Sequence, residues 1–177
     1  MNTLCELGAR DLVWQYPLKP DGLFLVTVDG AEVGRLRFDD RPGAESDAEL
    51  CGHAWKFEHS GGPLPRVTVR SGDPPELVAE FVPWLTGGGT VTFAGGRRYC
   101  WNRSQLWSPT WCFRPQGEAQ RSSICVSQQA GPLRSGARVK VCADAAGRPE
   151  TPVLVLLAWY LRVLAFEQLT EAIPVTG

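Results

Sequence analysis

A chain of 177 residues, 44% hydrophobic and 21% charged, has the size and composition of one globular domain with a real core. Its 18 basic and 19 acidic residues leave a formal net charge of −1. That balance excludes the basic excess by which phosphate-neutralising proteins grip nucleic acid, so no nucleic-acid partner is expected.

The first residues, MNTLCELGARDLVWQYPLKP, lack a basic segment followed by an apolar run, so they do not read as a secretory signal. A cytoplasmic location follows as an expectation. Cys5, Cys51, Cys100, Cys112, Cys125 and Cys142 are scattered without a C-x-x-C pair, and His53 and His59 are the only histidines. Zinc needs clustered ligands, so no metal site or cofactor is expected. Six reduced thiols, serving mostly as small apolar side chains in strands, are the reading for that compartment.

Short strands dominate up to about residue 145. Leu12–Tyr16 comes first and stops at Pro17. Leu23–Val28 and Glu32–Phe38 flank Asp29-Gly30, a strong hairpin signal. Whether that pair forms a two-residue turn or part of a longer bulged loop is open. A slip of one residue would move Arg35 and Arg37 to the other face. Asp39–Asp47 reads as a polar loop and Leu50–Glu58 as one strand. Arg66–Arg70, Glu76–Val82 and Thr90–Phe93 follow, separated by Gly/Pro breaks, and Gly95-Gly96 turns the chain into Arg97–Arg103. Thr110–Arg114, Gln120–Ser127 and Ala137–Ala143 bring the count to about eleven. Turn signals at such short intervals mark an all-β barrel or sandwich. The absence of β-α-β alternation argues against a parallel sheet.

The pattern changes at Thr151-Pro152, where Thr151 suits a cap and Pro152 the first helical turn. Val153–Phe166 is then apolar on all sides except for Arg162, and Glu167–Glu171 extends the helix. Such a helix must be surrounded by apolar material. At about 22 Å it falls short of the ~30 Å of a bilayer core. It does match strands of six or seven residues. A barrel of twelve strands has a radius of about 12 Å and holds one helix, whereas eight strands give about 8 Å and do not. The expected fold is therefore mainly β: a closed antiparallel barrel of about twelve strands with the C-terminal hydrophobic helix through its centre.

The early LFLVTVDGAEVGRLRF hairpin, the later GGGTVTFAGGRRYCW hairpin and the final VLVLLAWYLRVLAF together resemble the tubby C-terminal-like superfamily, across the whole chain. That superfamily includes the tubby domain, the phospholipid scramblases and the LURP-one-related proteins. The resemblance is closest to the short LURP-one-related and scramblase-like members. It implies a helix threaded through a barrel and binding of anionic phospholipid or phosphoinositide headgroups by basic side chains near the barrel surface. The acidic calcium-binding segment of scramblases has no counterpart here, where Asp144 stands largely alone.

Candidate binding groups follow from the residues. Arg97 and Arg98 sit beside a tight turn, where adjacent guanidiniums can hold a phosphate. Arg35 and Arg37 join them as anionic-lipid candidates if the first hairpin turns them outward. Trp84, in FVPWLTGGG, is the candidate membrane-interface anchor. Trp101, Trp107 and Trp111 form a sequence cluster. The expectation is a non-enzymatic binding module that meets anionic phospholipid or a protein partner at one rim. The alternatives are a scramblase-like protein with its helix in lipid, and an enzyme or small-ligand carrier with a pocket at a barrel mouth.

Overall fold

The computed structural model describes residues 11–15, 22–105, 108–117, 123–128 and 136–171, with side chains through residue 165. Twelve strands occur in it: β1 (Asp11–Gln15), β2 (Leu23–Val28), β3 (Ala31–Arg37), β4 (Glu45–Leu50), β5 (His53–His59), β6 (Val67–Ser71), β7 (Glu76–Pro83), β8 (Gly89–Phe93), β9 (Arg98–Arg103), β10 (Thr110–Pro115), β11 (Ile124–Gln128) and β12 (Gly136–Val141). Each pairs antiparallel with its sequence neighbours, and β1 pairs with β12 as well as β2, so the sheet closes on itself. Closure leaves no open edge. A short helix, α1 (Ala143–Ala146), leads into α2 (Thr151–Glu171).

The expected helix-filled barrel is present. Nine consecutive residues of α2, Val153–Leu161, are buried, so every side of the helix is covered. The wall supplies the cover from several directions. Trp159 stacks on Trp14 of β1 at 5.5 Å and meets the edge of Phe24 of β2. Tyr160 packs on Phe57 of β5 and on Phe38. Each fully buried Leu contributes about 1.5–3 kcal/mol of hydrophobic stabilisation. No helix among the described residues is long and apolar enough to cross a membrane. The strands alternate apolar side chains inward with charges outward, such as Arg35, Glu49, Lys56, Arg98 and Lys140. A lipid-spanning barrel has the inverse pattern.

Four expectations are corrected. The polar loop expected over Asp39–Asp47 ends at Ala44, and Leu50–Glu58 is not one strand: Glu45–Leu50 and His53–His59 form the β4–β5 hairpin, turning at Cys51 and Gly52, both with positive φ. In β4 the inward residues begin with Ser46 and Ala48, too small and polar to reveal the strand by hydrophobicity. Not all cysteines are thiols: Cys112 and Cys125, directly opposed on β10 and β11, form a disulfide, while Cys51, Cys100 and Cys142 are free. Thr151 does not cap α2. Its hydroxyl donates to the Ala145 carbonyl, and Glu150 supplies the carbonyl that accepts from the Leu154 N–H. The last strand stops at Val141, because Cys142 begins the turn into α1.

Antiparallel order divides the turns between two rims. The β2–β3, β4–β5, β6–β7 and β8–β9 turns share the inlet rim, where α2 enters after β12. The β3–β4, β5–β6, β7–β8 and β9–β10 loops share the outlet rim, where α2 leaves the barrel and Ala165 is exposed.

Candidate functional site

The first hairpin decides where two candidate arginines point. Asp29 and Gly30, both with positive φ, make a two-residue turn. Val26 then pairs with Gly34 while Thr27 pairs with Glu32, leaving Val33 as an extra, bulged residue. The bulge puts Gly34 and Leu36 inside and Arg35 and Arg37 outside.

Register then assembles a site from four strands. Arg37 lies opposite Asp47, Asp47 opposite Lys56, and Lys56 opposite Arg70. In the neighbouring row Arg35 faces Glu49, and Glu49 faces Ala54. Ala54 is a methyl group among long side chains, so the outer wall is hollow above it. The resulting cleft of about 480 Å³ is lined by Arg35, Arg37, Lys56, Arg70, Asp47 and Glu49, with Trp55 at its base. Its size is that of a small-molecule site.

Most of these cations are held in place. Arg35 donates to Glu49 through Nε at 3.2 Å and Nη2 at 2.8 Å, and this carboxylate raises its pKa. Lys56 pairs with Glu45, and Arg70 with Glu58 at 2.8 Å. Arg37 has no ion pair among the described residues. The three pairs are half-exposed, and such pairs are worth only about 0–1 kcal/mol each.

The structure does not bring the four predicted arginines together. In a ring of twelve strands, β3 and β9 stand on opposite walls. Arg97 sits in the β8–β9 turn at the inlet rim. Its Nη1 is 3.2 Å from Oε2 of Glu150, whose carboxyl is largely buried just before α2. It therefore ties the turn to the start of the helix. Arg98 follows on the exposed face of β9, opposite Thr92. Lys56 and Arg70 were missed because nothing near them in the chain points to Arg37. Only the outward alternation in HAWKFEH and VTVRS hints at their face.

Trp84 lies at the outlet rim, the far end from Arg97, half-buried, with its Nε1 donating to Thr90 Oγ1 at 3.1 Å. Beside it Leu85 is 91% exposed, and Leu64 on the adjoining β5–β6 loop is 41% exposed. Trp84 borders a second cleft of about 220 Å³, shared with Trp101, Trp111, Leu161 and Arg162. Trp101 and Trp111 stack at 5.5 Å; Trp107 lies outside the described residues. The guanidiniums of Arg103 and Arg162 stand 5.5 and 5.9 Å from the Trp111 ring centroid, within cation–π range.

The two histidines occupy opposite ends of β5. His53 is exposed at the inlet rim. His59 is buried, its Nδ1 2.8 Å from the Tyr160 hydroxyl and its ring stacked on Phe38. Burial pushes the His59 pKa down and the Tyr160 pKa up. Neither cleft includes either histidine. Among the described residues no His, Cys, Asp and Glu cluster could hold a metal ion. No family model, curated protein or solved structure matches this chain.

Proposed function

We propose that the protein is a non-enzymatic binding module whose ligand is a phosphate ester, on an anionic phospholipid headgroup or free in solution, held in the outer cleft of β3–β6. The observation that carries this reading is the convergence of Arg35, Arg37, Lys56 and Arg70 on one cleft with only two lining carboxylates. The surface ion pairs are weak enough to yield to a doubly charged phosphate that accepts several charge-assisted hydrogen bonds. Until then they hold the basic side chains extended. Leu77, half-exposed and directly opposite Arg70, supplies an apolar contact that favours a ligand presented by a membrane. A cytoplasmic, membrane-peripheral location goes with this reading. The tubby-like resemblance supports the same ligand chemistry.

The exposed Leu64 and Leu85 beside the half-buried Trp84 at the outlet rim favour a second reading, in which that rim docks a protein partner.

Sedimentation with phosphatidylcholine vesicles, with and without phosphatidylserine or a phosphoinositide, tests the first reading beside titration with a soluble inositol phosphate. Arg37→Glu with Arg70→Glu should abolish binding, while Arg97→Glu with Arg98→Glu, on the opposite wall, should leave it intact. Vesicle binding without soluble binding identifies a membrane ligand, and the reverse identifies a free one. Equal loss in both double variants, or no binding by the unaltered protein, rejects the cleft as the site.

A further inference from the structure

Four of the five described cysteines occupy one face of four adjacent strands. Cys100 lies between the inward Tyr99 and Trp101, and Cys125 between the inward Ile124 and Val126, so both point outward. Cys112 is opposite Asn102 on one side and Cys125 on the other. Cys125 is opposite the exposed Lys140, and Cys142 lies two residues beyond it, with its N–H on the Ser123 carbonyl. The order across the sheet is thus Cys100 on β9, Cys112 on β10, Cys125 on β11 and Cys142 at the end of β12. The central two are joined, and each has a free thiol at its diagonal. Diagonal neighbours stand about 7–8 Å apart between Cα atoms. That is near, but beyond, the ~6.8 Å that a disulfide spans, so the flanking thiols need a local shift to bond.

We propose that this outer face of β9–β12 is a thiol–disulfide exchange site whose co-reactant is a small-molecule thiol and its disulfide. Cys125 is the sulfur attacked, because it is partly exposed while Cys112 is fully buried. An incoming thiolate bonds to Cys125 Sγ, the Cys112–Cys125 bond breaks, and its electron pair leaves on Cys112 Sγ, which takes up a proton. A second thiolate then attacks the sulfur of the bound thiol and frees Cys125. The sum is one protein disulfide and two thiols giving two protein thiols and one small-molecule disulfide. Alternatively the Cys142 thiolate attacks Cys125 Sγ and expels the first thiol. That path exchanges one protein disulfide for another with no net oxidation. Cys51, at the β4–β5 turn, has no place in this chemistry and serves as an internal reference.

The test is to equilibrate the folded protein in glutathione buffers stepped from oxidised to reduced, quench with iodoacetamide and quantify alkylation peptide by peptide. Alkylation at Cys112 and Cys125 should rise together in native buffer, and oxidised glutathione should reverse it. In Cys112→Ser, Cys125 should trap glutathione, and adding Cys142→Ser should lengthen the lifetime of that mixed disulfide several-fold. The proposal is overturned if Cys112 and Cys125 become alkylated only after denaturation, which marks a static staple. It is equally overturned if reduction does not reverse. An unchanged lifetime removes Cys142 from the site. Should Cys112→Ser not fold, the titration of the unaltered chain decides alone.

Discussion

Replacing Tyr160 by Phe removes one oxygen from the interior and keeps the ring that packs on Phe57. That oxygen is a hydrophilic link between the central helix and the wall: it lies 2.8 Å from His59 Nδ1 and also bonds with Ser46 of β4. Burial raises the phenol pKa, so the hydroxyl stays protonated across the working pH range. Its loss strands a ring nitrogen that is out of reach of water. An orphaned buried polar group costs about 1–3 kcal/mol, and the conserved ring shape keeps the cavity contribution small. With a urea dependence of about 2 kcal/mol/M, a 2 kcal/mol loss lowers the unfolding midpoint by about 1 M. Equilibrium urea unfolding, followed by circular dichroism and tryptophan fluorescence, measures it. The double variant Tyr160→Phe with His59→Phe removes both partners and should recover part of the loss, because two missing partners cost less than one orphan. A midpoint shift below about 0.2 M for Tyr160→Phe would refute this account of the His59–Tyr160 contact as a stabilising pin.

The same pair predicts a pH dependence. Burial depresses the pKa of folded His59 below its ordinary value near 6.5, so the unfolded chain takes up the proton more readily. The stability this group contributes is complete above that ordinary value and is lost as pH falls through it toward the folded one. Urea midpoints should drop between pH 7.5 and 5, and His59→Gln should flatten the drop. Asp39, held at about 2 by its hydrogen bonds to Arg41, gives a separate loss between its ordinary value of 3.8 and about 2, absent in Asp39→Asn. Gly88 has φ +82°, and a Cβ there would lie 2.2 Å from the Trp101 carbonyl oxygen, whereas Gly96 has the same φ and open space. Gly96→Ala should cost about 1–2 kcal/mol from backbone conformation alone, and Gly88→Ala clearly more, in thermal or urea unfolding. Equal losses would show that the 2.2 Å approach is relieved without cost. Leu157→Ala, at the enclosed middle of α2, should destabilise by about 3–5 kcal/mol, and a loss under 1 kcal/mol would mean that the helix is not tightly encased.

Much of the architecture was legible in the chain because it depends on local periodicity and on size. Alternation in LFLVTV and RVTVR marks strands, and Asp29-Gly30 and Gly95-Gly96 mark turns. The all-round apolarity of Val153–Phe166, too short for a bilayer, calls for about twelve strands around it. The β4 strand escaped that reading because its inward positions start with Ser46 and Ala48, and hydrophobicity is the signal that periodicity needs. The candidate cleft was legible only in part. Arg35 and Arg37 were visible as candidates, but their direction depends on one bulged residue, Val33. Lys56 and Arg70 reach them only through the register of three strand pairs.

Chain length, patterning and turn residues thus determined the class of fold and its filling, since these follow from how much apolar surface each segment must hide. Tertiary structure alone decided which charged side chains share a wall, which rim holds Trp84 and which cysteines meet. Those relations are set by strand register and barrel closure, which join residues that are distant in the chain and carry no local mark of each other.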